Sequence, residues 1–220
     1  MLQLIIGGTI RNKAAENAYV LTITSINGLL AIINLINGKL RTPKVAQFNK
    51  MVRWINTDSK LDIPIYGADD SDILGNAWLS GFIDADGSFD IRLSLITNGA
   101  AKNRVSARMR LEQRMTDPVT NEPYFDVMNL IATALGVTLS TSLHNQGVKY
   151  YLIGATSAKA RATIASYFAQ FPLFSSKLLN YQDWLVCHNM IVAGQHTTDF
   201  GRSEAMRLKL GMNSKRTYYN

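Results

Sequence analysis

Residues Trp78–Phe89 read W-L-S-G-F-I-D-A-D-G-S-F, and this stretch changes character halfway along. Trp78, Leu79, Phe82 and Ile83 recur at helical spacing, while Gly81 and the small Ser80 and Ala85 would let a second backbone approach closely. Asp84 and Asp86 then fall at the helix end, and Gly87 can supply the turn into a following strand. Acids at a helix C-terminus oppose the macrodipole, so their placement is locally unfavourable and points to another use, such as holding a divalent cation. Spacing by itself favours the plainer alternative, an ordinary Asp-Gly turn after a helix.

Downstream the period changes from helical to alternating. A strand is expected over Ser88–Leu95, a second over Arg104–Gln113, and a helix over Asn121–Leu135 with Phe125, Met128, Ile131, Ala132 and Leu135 at helical spacing. In the first strand Phe89, Ile91, Leu93 and Leu95 alternate with Ser88, Asp90, Arg92 and Ser94. In the second, Val105, Ala107, Met109 and Leu111 alternate with Arg104, Ser106, Arg108 and Arg110. One face therefore packs on helices and the other is wet and mostly basic. It is either an ordinary solvated face or one whose guanidinium groups contact phosphates and guanine edges. Lys149 and Tyr151 are expected to continue this surface.

Upstream, the chain repeats itself. Gly7–Trp54 and Gly136–Trp184 follow one plan: a strand, a hairpin turn (near Glu16 and Asn17, or Asn145 to Gly147), a second strand, a helix begun by Thr-Ser, and a further helix carrying a Trp. Ser25 and Ser157 are the expected N-caps. The second copy has a helix, two strands and a helix in front of it, and the first copy lacks them. Roughly 65 residues that the repeat leads one to expect are absent from the N-terminus. The predicted class is α+β: an αββαββα half with an antiparallel sheet, preceded by a partial first half. The expected division is 1–56 for the C-terminal part of a first half, 57–70 for an acidic linker, 71–193 for a complete second half and 194–220 for a C-terminal tail.

Composition sets the outer limits. The formal charge of +7 favours polyanionic partners, and five of the sixteen acids cluster between Asp58 and Asp72 beside a single base, Lys60. Apolar runs stop well short of the ~20 residues a membrane span needs, so no membrane partner is expected. The N-terminus has no basic region before its apolar run and does not read as a signal peptide. One cysteine, Cys187, excludes an internal disulfide framework and a cysteine-based zinc site, and His144, His188 and His196 are too scattered for a histidine-rich metal centre.

The stretch Trp78–Phe89 resembles the LAGLIDADG motif of homing endonucleases. Flanking segments resemble the mitochondrial intron-encoded, double-motif branch of that family: INGKLRTPK (Ile36–Lys44), GNAWLSGFIDADGSF (Gly75–Phe89), FPLFSSKLLNYQDW (Phe171–Trp184) and MNSKRT (Met212–Thr217). The resemblance implies a saddle of antiparallel sheet laid in the DNA major groove and two motif helices packed together, here through Trp78, Ser80, Gly81, Ile83 and Asp84. It implies one acid per helix, with Asp86 as the metal-binding acid for a divalent cation, normally Mg²⁺. Gln113 matches the strand glutamine that orients water, Lys177 the lysine near the scissile phosphate, and Lys39 its equivalent in the first half. Organellar, mitochondrial location is implied on the same ground.

A double-motif enzyme needs two such helices, and one is recognisable here. The chain is then a piece of a split DNA endonuclease whose companion polypeptide carries the other half, or a homodimer through its single helix. The third reading is a non-cleaving binder of structured RNA, an intron maturase or a mitoribosomal subunit. Double-stranded DNA and RNA are not separable by composition, since phosphate contacts dominate both.

Overall fold

The two copies of the repeat are built alike, each opening its first helix with the same serine cap. In the first, α1 (Leu2–Ile6) precedes the antiparallel hairpin of β1 (Thr9–Lys13) and β2 (Ala18–Thr22), then α2 (Ile26–Ile36) and α3 (Lys44–Ser59). The Ser25 hydroxyl accepts the Gly28 amide at 3.3 Å, satisfying a first-turn donor of α2. The structure, a computed structural model, describes residues 2–16, 18–94, 104–144 and 147–217. Asn17, Leu95 and Asn145, expected at turns and at a strand end, lie outside them. The chain forms two compact units, Met1–Asp70 and Ser71–Asn220.

The core of the first unit is small. Ile33, Val52 and Ile55 are buried, with Leu29, Leu30, Phe48, Met51 and Ile63 packed around them. The acidic stretch differs from a free linker, because α3 runs on to Ser59 and the residues after it are tied back. Asn56 holds both the N–H and the C=O of Ile63 at 2.9 Å, and Asn49 donates to Tyr66 O at 2.8 Å. Asp69 pairs with Arg41 at 2.8 Å, and the Arg41 side chain is only 1% exposed. A buried guanidinium needs a counter-charge, which accounts for one of these acids.

The second unit comprises α4 (Trp78–Asp86), β3 (Gly87–Ser94), β4 (Arg104–Arg114), α5 (Phe125–Ala134), β5 (Ser140–Leu143), β6 (Lys149–Ala155), α6 (Ala158–Gln170), α7 (Lys177–Val192) and α8 (Asp199–Leu210). Its strands form one antiparallel sheet in the order β3-β4-β6-β5. The expected αββαββα order is therefore present, within an α+β fold. The motif helix begins at Trp78, after a turn, at the first residue of the expected helical spacing.

One face of the sheet carries the core. Phe89 is fully buried, and the rings of Phe168, Tyr181 and Trp184 meet it edge-on at 5.5–5.9 Å. Such aromatic packing dominates core energetics, and truncating Phe89 or Trp184 would cost about 3–5 kcal/mol. In the segment 194–220, expected as a tail, the described residues 194–217 join this core instead. Ala205, Leu208 and Met212 are buried, and Asn213 donates to Phe89 O at 3.0 Å. Among the described residues no helix is long and apolar enough to cross a membrane.

A charged group is embedded among these helices. Arg161 of α6, 7% exposed, donates to Thr156 O through Nη1 and to His188 Nδ1 through Nε at 3.3 Å. Burial, then the neighbouring guanidinium, hold the His188 pKa below its ordinary 6.5. The unfolded chain binds this proton more readily than the folded one. The His188 contribution is therefore intact above pH 6.5 and is lost as pH falls below it through the folded value. The urea midpoint should drop between pH 7.5 and pH 5, and His188→Asn should flatten the curve over that interval.

Candidate active site and nucleic-acid interface

The motif places two carboxylates two residues apart and gives them different surroundings. α4 ends against its own strand: Gly87 is extended (φ −79°), not left-handed, so the expected turn role is corrected. Glycine is needed for space, because a Cβ here would lie 2.7 Å from Ile83 Cγ2 and 2.9 Å from Ile83 O. Asp84 turns toward the segment before α7. It accepts Phe174 N–H at 2.7 Å, Ser175 N–H at 3.3 Å and the Ser175 hydroxyl at 2.6 Å. Asp86 is exposed, and no hydrogen bond or ion pair engages it among the described residues.

Lys177, the first residue of α7, reaches back over the same helix end. Its ammonium donates to Ile83 O at 2.9 Å and Ala85 O at 3.3 Å, so it caps the carbonyl terminus of α4. Burial lowers its pKa, while the Asp84 and Asp86 charges oppose the shift. Gly87 pairs with Leu111, which sets Gln113 two residues further along β4 from the end of α4. Gln113 lies beside the Tyr124 phenol, whose pKa is raised by burial, then by Asp117, with Asp86 contributing. Asp86, Lys177, Gln113 and Tyr124 thus gather where α4, β3, β4 and α7 meet. Lys39 is exposed in the other unit, between α2 and α3.

Tyr124 and Asp117 were not singled out from sequence. Asp117 folds its own loop by accepting the amides of Val119 and Thr120 at 2.9 Å, and it also accepts from Tyr124 at 3.3 Å. The signal was the Asp-Pro-x-Thr run, which marks an Asx turn. No group of three or more acids, histidines or cysteines among the described residues could hold a metal ion. The corner thus contributes one free carboxylate oxygen donor, of a kind suited to a hard divalent cation, and not a complete ligand set.

The helix-contact residues divide. Ser80 and Ile83 are each 1% exposed inside the unit, so they are corrected as interface residues. Ser80 N–H donates to the Tyr167 hydroxyl at 3.0 Å and Ser80 Oγ to Phe171 O, because this face of α4 packs on α6. Asp84 is committed to residues 174–175. Trp78, half-buried and stacked on Phe82 at 4.9 Å, and Gly81, whose added Cβ would meet nothing within 4 Å, lie on the other side with Ala85.

Cross-strand register settles the sheet faces. Ser88, Asp90, Arg92 and Ser94 pair with Arg110, Arg108, Ser106 and Arg104, so all eight share the face away from the core. Asp90 binds Arg108 Nε at 2.9 Å and lies 3.4 Å from Arg92 Nε. Lys149 and Tyr151 are corrected. Tyr151 pairs with Gln113, on the side of Met109 and Leu111, and meets Phe125 of α5 edge-on at 5.8 Å. Lys149 has the same parity. On the arginine face β6 instead presents Tyr150 and Leu152, beside Glu112 and Arg114.

A helix closing on its own strand and a four-stranded antiparallel sheet with arginines along one face define the class of α+β protein to which the chain belongs. A family model for the LAGLIDADG endonuclease matches residues 79–188. The "Probable intron-encoded DNA endonuclease aI1" of Mycosarcoma maydis is 42% identical over 99 residues, 45% of this chain and 82% of that protein. The "Intron-encoded DNA endonuclease aI3" of Saccharomyces cerevisiae is 32% identical, over 96% of this chain and 56% of that protein. The "Intron-encoded RNA maturase bI4" of the same yeast is 28% identical over 122 residues, 55% of this chain and 16% of that protein. Among solved structures, the I-LtrWI LAGLIDADG homing endonuclease bound to target DNA superposes with a TM-score of 0.74 at 18% identity, over 98% of this chain and 82% of that one. The chain belongs to the LAGLIDADG endonuclease family. It spans about half the length of the aI3 relative.

The unequal surroundings of the two acids predict unequal effects on stability. Asp84→Ala removes a charged acceptor from two amides and a hydroxyl and should cost about 1.5–3 kcal/mol. Asp86→Asn should stay within about 0.5 kcal/mol of neutral, since the exposed charge opposes the helix C-terminus while the Lys177 ammonium attracts it. Chemical denaturation of both variants checks the contrast.

Proposed function

We propose that this chain is part of a site-specific endonuclease that hydrolyses double-stranded DNA with a divalent metal, and that it works in an organelle. The observation that carries the reading is the unpartnered Asp86 carboxylate beside the half-buried Lys177 ammonium, in the unit whose sheet turns its arginines outward. A purely structural nucleic-acid binder needs the arginines and has no use for Asp86.

In this reading Asp86 gives one oxygen to a Mg²⁺ ion, which when bound supplies charge neutralisation and a more acidic water. Further ligands come from an acid on a second motif helix, carried by a companion polypeptide and docked against Trp78, Gly81 and Ala85. Lys177 would stabilise electrostatically the negative charge that develops on the scissile phosphate. Gln113, braced by Tyr124, orients the attacking water, and Lys39 acts as the counterpart of Lys177 at the other strand. Ser88, Arg92, Ser94, Arg104, Ser106, Arg108 and Arg110 contact the duplex, and Asp90 holds Arg108 and Arg92 in place.

A second reading, binding of intron RNA, is favoured by the similarity to the yeast maturase. Plasmids with randomised inserts, incubated in Mg²⁺ with the chain alone and with a polypeptide carrying a second motif helix, separate the two. Cleavage by the pair is expected, falling to background with Asp86→Asn and on the order of a hundredfold with Lys177→Met, while DNA retention persists. If DNA is retained but never cut, and Asp86→Asn alters nothing, the RNA reading replaces the first.

A further inference from the structure

Glu112 has no part in the corner described above, yet it is the most heavily bonded carboxylate on the outward face of the sheet. One oxygen accepts from the Ser142 hydroxyl and lies 2.8 Å from His144 Nε2, and the other accepts from Arg110 Nη2 at 2.9 Å. The His144 ring lies on Tyr150 at 4.2 Å between centroids, and the Tyr150 hydroxyl accepts from Arg114 Nε at 3.3 Å. Glu112 is 18% exposed in its side chain, and Arg110 34%. Partial burial works against the carboxylate, but the Ser142, His144 and Arg110 contacts outweigh it and hold the pKa below the ordinary 4.5.

An anion on a surface that meets phosphates weakens non-specific binding, so its presence calls for a compensating gain. Rigid presentation of a guanidinium supplies one. A bidentate contact from arginine to guanine O6 and N7 depends on the orientation of the fork, and a free arginine side chain samples many rotamers. Glu112 occupies a single Nη2 donor, and Arg110 Nε is buried with no partner. The remaining terminal donors are thereby left to a partner outside the sheet.

We propose that Glu112 is a positioning residue for sequence recognition, fixing Arg110, with Ser142 and His144 as its braces, to read a guanine edge in the major groove. The inference rests on the DNA-binding reading above. A surface pair in water contributes little to stability, so its purpose is orientation.

The test is selection from a randomised duplex library by the full chain together with the companion polypeptide that carries the second motif helix, followed by affinities for the enriched site and for a scrambled duplex. Arg110→Ala should erase the preference for guanine at one position. Glu112→Ala should blunt the preference at that same position and reduce the ratio of site to scrambled affinity about tenfold. Glu112→Gln, which keeps the volume and an acceptor oxygen, should lose part of that ratio and serves if the alanine variant misfolds. A merely structural role would lower both affinities together and leave the ratio unchanged, and that result overturns the proposal. So does an unchanged consensus with Glu112→Ala when Arg110→Ala shifts it. If the wild type retains no duplex at all, the DNA reading itself fails, and this inference with it.

Discussion

The close approach of α4 to β3 at Gly87 is the constraint from which the candidate site follows. With no Cβ to hold them apart, Ile83 sits directly against the first residue of the strand, and the helix can end without an intervening loop. That geometry sets the rotation of the last helical turn. Asp84 is directed toward residues 174–175 and Asp86 away from them, although both are aspartates at the end of one helix. The Lys177 ammonium then settles on the carbonyls the helix leaves open. One packing contact thus separates a structural carboxylate from a free one and delivers a cation between them.

The family motif made the helix, the acids and the lysine legible in sequence, and strand alternation made the basic face legible along β3 and β4. What it could not supply was phase. Both sides of α4 are apolar or small, so the 3.6-residue period groups Ser80 with Ile83 without saying that this pair meets α6 and not a second helix. Tyr151 was misplaced for a related reason. The run Lys149–Ala155 alternates only weakly, and its inward residues become identifiable through the pairing of Leu111 with Ile153 and Met109 with Ala155. α8 escaped notice because its buried side is made of Gly201, Ala205 and Leu208, small residues that leave little hydrophobic signal among the charges.

The acidic stretch Asp58–Asp72 carries a different lesson. Charge runs usually read as solvated connectors, and most of these acids are exposed. Asp69 nevertheless neutralises the buried Arg41, and the backbone around it is fastened by Asn37, Asn49 and Asn56 through side-chain amides. Asparagine contributes no hydrophobic periodicity, so such clamps are invisible to pattern reading and appear only when the partner carbonyls are placed.

The same economy of small polar contacts governs the outward sheet face. Arginines at 92, 104, 108, 110 and 114 on neighbouring strands repel one another. Asp90 and Glu112 are interleaved among them and relieve the repulsion in the free protein. Each acid engages only some of the donors of its arginine, so the remaining donors stay available while the fork keeps its orientation. Acids set among the arginines of this face therefore keep the guanidinium groups ordered without occupying all of their donors.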